Sequence, residues 1–185
     1  MSLLSSLVPN YPLGLSLVDT NDAAHDANWA ALANYLFTKG HMVVRAVAAD
    51  VTYTTSTTLT TILSFPVLPA GSLWAFEGIL ILTCGGTGGL KVAVTADATL
   101  SATAFAISIQ VPTSATAVSS ATATSLGTAA GASSGGAITG LPVFFSGILS
   151  VNVAGAPLIQ TAQNSSNSTS TVKVGSFVSF TQVVQ

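Results

Sequence analysis

Few side chains in this sequence are able to do chemistry. It holds six acidic residues, four basic residues, two histidines and one cysteine among 185 positions. Catalysis needs a base, a nucleophile or a metal held in a cleft. His25 falls in a stretch with helical spacing, and His41 follows the end of that stretch. The neighbouring acids Asp22 and Asp26 suit a helix N-terminus better than a shared metal site, so both histidines read as structural. Cys84 ends a strongly apolar run and precedes Gly85-Gly86-Thr87-Gly88-Gly89. It has no clear histidine and Asp/Asn partners to make it a nucleophile. The glycine stretch lacks the Gly-Lys-Ser/Thr ending of a phosphate-binding loop, and a strand-like run follows it instead of a helix. It reads as a hairpin turn, with Lys91 opening the return strand. Glu77 sits in the middle of the most apolar run. It is expected to be ion-paired, raised in pKa, or at a wet edge, with Arg45, Lys91 and Lys173 as available partners. Glycoside hydrolysis needs a second carboxylate roughly 5–10 Å away. The other acids of that region, Asp50 and Asp97, read as turn residues. No enzymatic activity is expected, and no cofactor or metal, although a lone histidine repeated around a symmetry axis would supply several ligands.

Asn164-Ser-Ser and Asn167-Ser-Thr match the glycosylation acceptor pattern. The first cation is Lys39, so the early apolar stretch has no basic region ahead of it and a secretory leader is not expected. The polar run from Gln163 to Ser170 therefore reads as a surface loop. Asn164, Ser165, Asn167 and Thr169 are its candidate contacts for a ligand or host surface.

The elements that must position these residues follow from composition and periodicity. Charged residues make up 5% of the chain, against about 25% in an ordinary soluble domain. With a net charge of −2, four cations cannot neutralise a phosphate backbone, which argues against nucleic acid or an anionic membrane as partner. Mean hydropathy is +0.69. Yet the longest apolar run, Leu73–Thr83, is shorter than the roughly 20 residues of a spanning helix, and it contains Glu77. One cysteine excludes an internal disulfide framework.

Residues 1–18 read as an extended arm broken by Pro9, Pro12 and Gly14. Its Leu3, Leu4, Leu7, Tyr11 and Leu13 are expected to dock, either on the same chain or on another subunit. Residues 19–39 read as one helix, with Asp19, Thr20 and Asn21 as possible N-caps and Gly40 as the stop. Trp29, Leu32, Ala33, Leu36 and Phe37 share one face at i, i+3, i+4, i+7 and i+8. Trp29, Leu32, Leu36 and Phe37 join the arm residues as candidate anchoring or oligomer contacts. This divides the chain into an arm and helix at 1–41 and a β-domain at 42–185.

From Met42 onward the pattern is β. The strand-like runs are Met42–Ala48, Val51–Ile62, Leu73–Thr83, Leu90–Thr95, Ala104–Val111, Pro142–Val153, Pro157–Ala162, Thr171–Val174 and Ser176–Val184. In Leu73–Thr83 both alternate sets are apolar: Leu73, Ala75, Ile79 and Ile81 on one face, Trp74, Phe76, Leu80 and Leu82 on the other. Such a strand is covered on both faces. In an antiparallel sandwich the second cover comes from the helix or from a neighbouring subunit. Residues 113–137 are almost all Ala, Ser, Thr and Gly, and fit either a flexible loop or a plain strand around Thr116–Leu126.

Three stretches carry a resemblance: Thr57 to Val67, Ala70-Gly-Ser-Leu-Trp-Ala-Phe-Glu-Gly-Ile-Leu80 and Gly88-Gly-Leu-Lys-Val-Ala-Val94. The ending Gln163 to Phe177 carries it too. Together they make residues 50–184 resemble a β-sandwich domain of tailed-bacteriophage virion proteins. The long small-residue segment departs from typical examples. The resemblance implies a mainly β fold, a jelly-roll-like antiparallel β-sandwich, here preceded by the arm and one α-helix. It also implies a homotrimer on a virion, at the capsid surface or tail, as a head-decoration or short-fibre protein. Its partners would be further copies of itself and the major capsid or tail protein. The alternative is a tail-fibre module recognising a host glycan or protein through Asn164–Ser170 and Ser133–Gly136. Those loops lack the aromatic platforms that favour sugar binding. A small transmembrane β-barrel is less consistent, because clear aromatic girdles are missing.

Overall fold

A computed structural model of the chain describes residues 42–183, and every regular element among them is a β-strand. In chain order these are β1 (Met42–Ala46), β2 (Val51–Thr54), β3 (Thr60–Ser64), β4 (Leu73–Cys84), β5 (Leu90–Ala96) and β6 (Ser101–Pro112). There follow β7 (Val118–Ala123), β8 (Ala130–Ala132), β9 (Ile138–Val153), β10 (Pro157–Ala162), β11 (Thr169–Val172) and β12 (Phe177–Val183).

The pairings nest. β1 pairs β12, β3 pairs β10, β4 pairs β9 and β5 pairs β8, each antiparallel. The chain therefore makes one long antiparallel ribbon that folds over itself. Folding brings β12 beside β4 and β10 beside β5. The result is two sheets, with β1-β12-β4-β9 in one and β3-β10-β5-β8 in the other. This interleaved order is the double Greek key of a jelly roll. The β6–β7 hairpin widens the larger sheet beyond β9, and β2 and β11 extend it beside the C-terminal end of β4.

Alternation along the strands builds the core. The even-numbered residues Trp74, Phe76, Leu80 and Leu82 of β4 are buried, as are Val143, Phe145 and Leu149 of β9 and Phe180 of β12. They cluster with Leu90, Val92 and Val94 of β5, Ile159 of β10 and Leu63 of β3 from the smaller sheet. Phe76 lies between Phe105 and Phe180, at ring-centroid distances of 5.9 and 5.3 Å. Tyr53 bridges the layers: its hydroxyl hydrogen-bonds to the Thr161 hydroxyl on β10. Burial raises the pKa of that phenol.

The mainly β expectation agrees with this architecture, but the fold class as a β-sandwich with a helix needs correction. The described residues are all-β in two antiparallel sheets, with no helix among them. The expected arm 1–18 and helix 19–39, and with them Leu3, Leu4, Leu7, Tyr11, Leu13, Trp29, Leu32, Leu36 and Phe37, lie outside the described residues. Two local expectations also change. Val51–Ile62 is two strands, because Thr55 takes φ +48° and the chain leaves β2 in the larger sheet for β3 in the smaller. Gly85–Gly89 is not a hairpin turn, because β4 and β5 belong to different sheets. Within 113–137 the strand alternative around Thr116–Leu126 holds as β7, and a second short strand, β8, lies beyond those bounds.

Candidate functional site

Two surfaces are candidates. The first is the end of the sandwich where the β2–β3, β4–β5, β8–β9 and β10–β11 connections meet. Gln163 is fully buried there. Its Nε2 donates to the carbonyls of Ser168 (3.0 Å) and Asn167 (3.3 Å) and to Ser170 Oγ (3.2 Å). Three acceptors around one amide nitrogen fix the ring of residues 163–170 from inside. The backbone N–H groups of Asn164 and Ser165 both donate to the Gly88 carbonyl at 3.0 Å. Asn164 Nδ2 donates to Ser133 Oγ (3.1 Å), Ser165 Oγ to the Thr87 carbonyl (3.3 Å) and Asn167 Nδ2 to Thr87 Oγ1 (2.6 Å). Asn167 and Thr169 are exposed, whereas Asn164 and Ser165 are half-buried. The expected contact residues are thus brought together at one end. Three of the four direct their polar groups into their own chain.

Cys84 lies beneath this loop cluster. Its thiol donates to the Gly86 carbonyl (3.1 Å) and contacts Ser170 Oγ (3.1 Å), while Ser134 Oγ donates to the same carbonyl (2.7 Å). Burial pushes the thiol pKa up, but the hydroxyls of Ser134 and Ser170 together with the backbone of Gly86 and Gly89 outweigh it and leave the thiol below its ordinary value. Cys84 is 1% exposed, so its thiol lies beneath these loops away from solvent.

The second surface is the outer face of the larger sheet. Here the odd-numbered residues of β4 point outward: Leu73, Ala75, Ile79 and Ile81 are half-buried and Glu77 is exposed. Their register partners extend the face. The row through Ile79 runs Ala46, Phe177, Ile79, Phe144 and Gln110. The row through Ala75 runs Met42, Thr181, Ala75, Ile148 and Ala106. Between them the row through Glu77 runs Val44, Ser179, Glu77, Ser146 and Ser108. Phe144 is 45% exposed, Ile148 46%, Phe177 37%, Val44 47% and Met42 60%, a concentration of large apolar side chains on one face. A shallow depression of about 390 Å³ opens between Glu77, Ile79, Phe144 and Phe177.

Glu77 is the central charge of this face. Of the alternatives expected for it, Glu77 is solvent-exposed, and Lys173, one of its three available partners, instead pairs with Asp50 across the β1–β2 and β11–β12 turns. Asp50 also accepts the Val174 N–H at 2.8 Å, and the Lys173 ammonium holds its carboxyl below the usual range. Asp97 accepts the N–H groups of Thr99 (3.1 Å), Leu100 (3.0 Å) and Ala156 (3.0 Å), as turn chemistry requires. Among the described residues no cluster of three or more His, Cys, Asp and Glu gathers as for a metal ion. Sequence reasoning found Glu77 and the doubly apolar strand. It missed the contributions of Phe144, Ile148 and Phe177, whose outward direction depends on register.

No protein-family model matches the chain, and no curated protein matches it. Solved structures of infectious bursal disease virus overlap it in part. The Gx strain structure is 14% identical, with a TM-score of 0.23. The VP2 subviral particle is 12% identical, with a TM-score of 0.23. The T13 viral particle is 11% identical, with a TM-score of 0.19. In each case 78% of this chain is covered, and the chain spans about two-fifths of the length of its match (39%, 40% and 39%). The overlap is partial and transfers no role to this chain.

Proposed function

We propose that the chain is a structural protein of a bacteriophage virion, a head-decoration or short-fibre subunit acting in a homotrimer. The observation that carries this is the outer face of the larger sheet, broad, apolar and centred on one charge. A face of that kind suits permanent burial between subunits better than solvent, because obligate interfaces resemble a domain core cut in half. The resemblance of residues 50–184 to virion β-sandwiches points the same way. The partners are then other copies of the chain and the capsid or tail protein beneath.

A non-catalytic role fits the same residues. Of the described acids, Asp50 serves an ion pair and Asp97 a turn, which leaves Glu77 without a second carboxylate beside it on the face. Glycan turnover that disappears in Glu77→Gln would overturn this part.

The test uses virions assembled without the protein. Purified protein carrying a gold label is expected to bind them at discrete head or tail positions. Deletion of residues 2–18 is expected to abolish binding while leaving the β-domain folded. Absence of binding by the full chain would refute the virion role. Binding to host cells in place of particles would favour a receptor-recognition module.

A further inference from the structure

The edges of the two sheets are not equally protected. An edge strand leaves a row of backbone N–H and C=O groups able to pair with another chain, and short length, charge, proline or a bulge discourages that. β8 is three residues long, and β2 is four residues long and follows Asp50. β1 carries Arg45. The ladder of β3 with β10 is interrupted by a register shift at Ile159/Gln160. β7 has none of these devices. It runs for six residues, Val118–Ala123, holds neither charge nor proline, and pairs with β6 alone in a register without a shift. From Ala98 to Val172 the chain has no charged residue, so β6 and β9 behind this edge are uncharged too. On β7 itself Val118, Ser120 and Thr122 are exposed on the outer face, in register with Pro112, Gln110 and Ser108, while Ser119, Ala121 and Ala123 turn toward the core.

We propose that β7 pairs antiparallel with β7 of a second copy about a two-fold axis, joining two larger sheets edge to edge. The partner follows from the same comparison: among the described strands, the edge of the second copy that is open to pairing is its own β7. Side chains keep to their faces only when residues of like parity stand opposite each other. Centring the pair on Ser120 meets that condition, setting Ser120 against the partner's Ser120 and Val118 against the partner's Thr122. This register also covers Val118, which is 61% exposed, with a β-branched neighbour. Stacking two outer faces would bring the Glu77 carboxylates together, and the edge contact avoids that. β4 lies three strands in from β7, so at about 4.8 Å per strand the two Glu77 side chains stand at least roughly 34 Å apart, more than about three screening lengths at 0.1 M salt. The contact leaves the outer face free, so it goes beyond the trimeric reading without resting on it.

One short strand from each copy buries far less than a standard interface, so the contact is weak and is expected as a doubling of mass between about 10 μM and about 1 mM. Sedimentation velocity of the full chain across that range tests it, with far-ultraviolet circular dichroism as the check on folding. Ser120→Lys and Ser120→Glu, at an exposed site, are each expected to weaken the doubling on the order of tenfold, because like charges then face each other across the axis. An equimolar mixture of the two variants is expected to restore it. A wild type that does not double, doubling that survives both substitutions, or a mixture that fails to recover would overturn the proposal. The species at the low end of the range reports separately on the trimeric reading. Doubling from a monomer leaves this contact standing and removes the trimer; a trimer that never doubles does the reverse.

Discussion

Gly78 and Gly147 lie opposite Phe145 and Phe76 across the β4–β9 ladder. A Cβ at Gly78 would come within 2.3 Å of the Phe145 ring. One at Gly147 would come within 2.3 Å of the Phe76 ring and 2.1 Å of the Ala106 carbonyl oxygen. A ring can rotate aside, but a backbone oxygen in a ladder cannot. Gly147→Ala is therefore expected to destabilise the fold by about 1–3 kcal/mol in denaturant unfolding, whereas Ser146→Ala beside it on the outer face changes stability by less than about 0.5 kcal/mol. Neither glycine was legible as a ring seat, since glycine in a strand-like run also signals a bulge or a turn. Asp97 was legible, because an Asp before Thr and Leu at a strand end suits a turn. The N–H groups of Ala156, Leu100 and Thr99 hold its pKa down to about 2. The unfolded chain then binds the proton more readily than the folded one. The contribution of Asp97 is present above about pH 4 and is lost as pH falls toward 2. Asp97→Asn should flatten the pH dependence of unfolding in that window; an unchanged slope would contradict the turn's role.

At the scale of elements, alternation in β4 separated its two faces correctly, because side-chain direction in a strand follows position alone. Trp74, fully buried with Nε1 donating to Ser72 Oγ at 2.8 Å, anchors the inner face. Trp74→Ala should cost about 3–5 kcal/mol. Ile79→Ser on the half-buried outer face should cost the separated subunit on the order of 1 kcal/mol, well below Trp74→Ala, and weaken association as well. The split between β2 and β3 was not legible: Thr and Ser continue through Thr55, and its left-handed backbone leaves no mark on residue type. The loop at 163–170 was legible as polar but not as ordered. Its order comes from Gln163, whose buried amide reaches three acceptors across the turn. Gln163→Leu should leave the Asn167 carbonyl without its Gln163 donor, while the Ser168 carbonyl keeps the Thr55 N–H, and destabilise by about 1–3 kcal/mol, read by unfolding and by faster hydrogen exchange in residues 164–169.

For the whole molecule, the succession of strand-like runs indicated a β fold and the resemblance implied a sandwich, but the nested ribbon that joins β1 to β12 and β4 to β9 depends on contacts far apart in sequence. Periodicity carries no record of such partners. The same limit explains why β4 was readable as doubly apolar while the extent of its outer face was not. That face becomes visible once β12, β9 and β6 are set in register beside it, with Phe177, Phe144 and Ile148 around Glu77. The central claim is that this face is covered by another copy of the chain. The most direct test is the solution mass of the wild-type protein by light scattering at micromolar concentration. Burial of this face between three copies predicts a species near three times 18.4 kDa that persists on dilution; a single species at 18.4 kDa would contradict it.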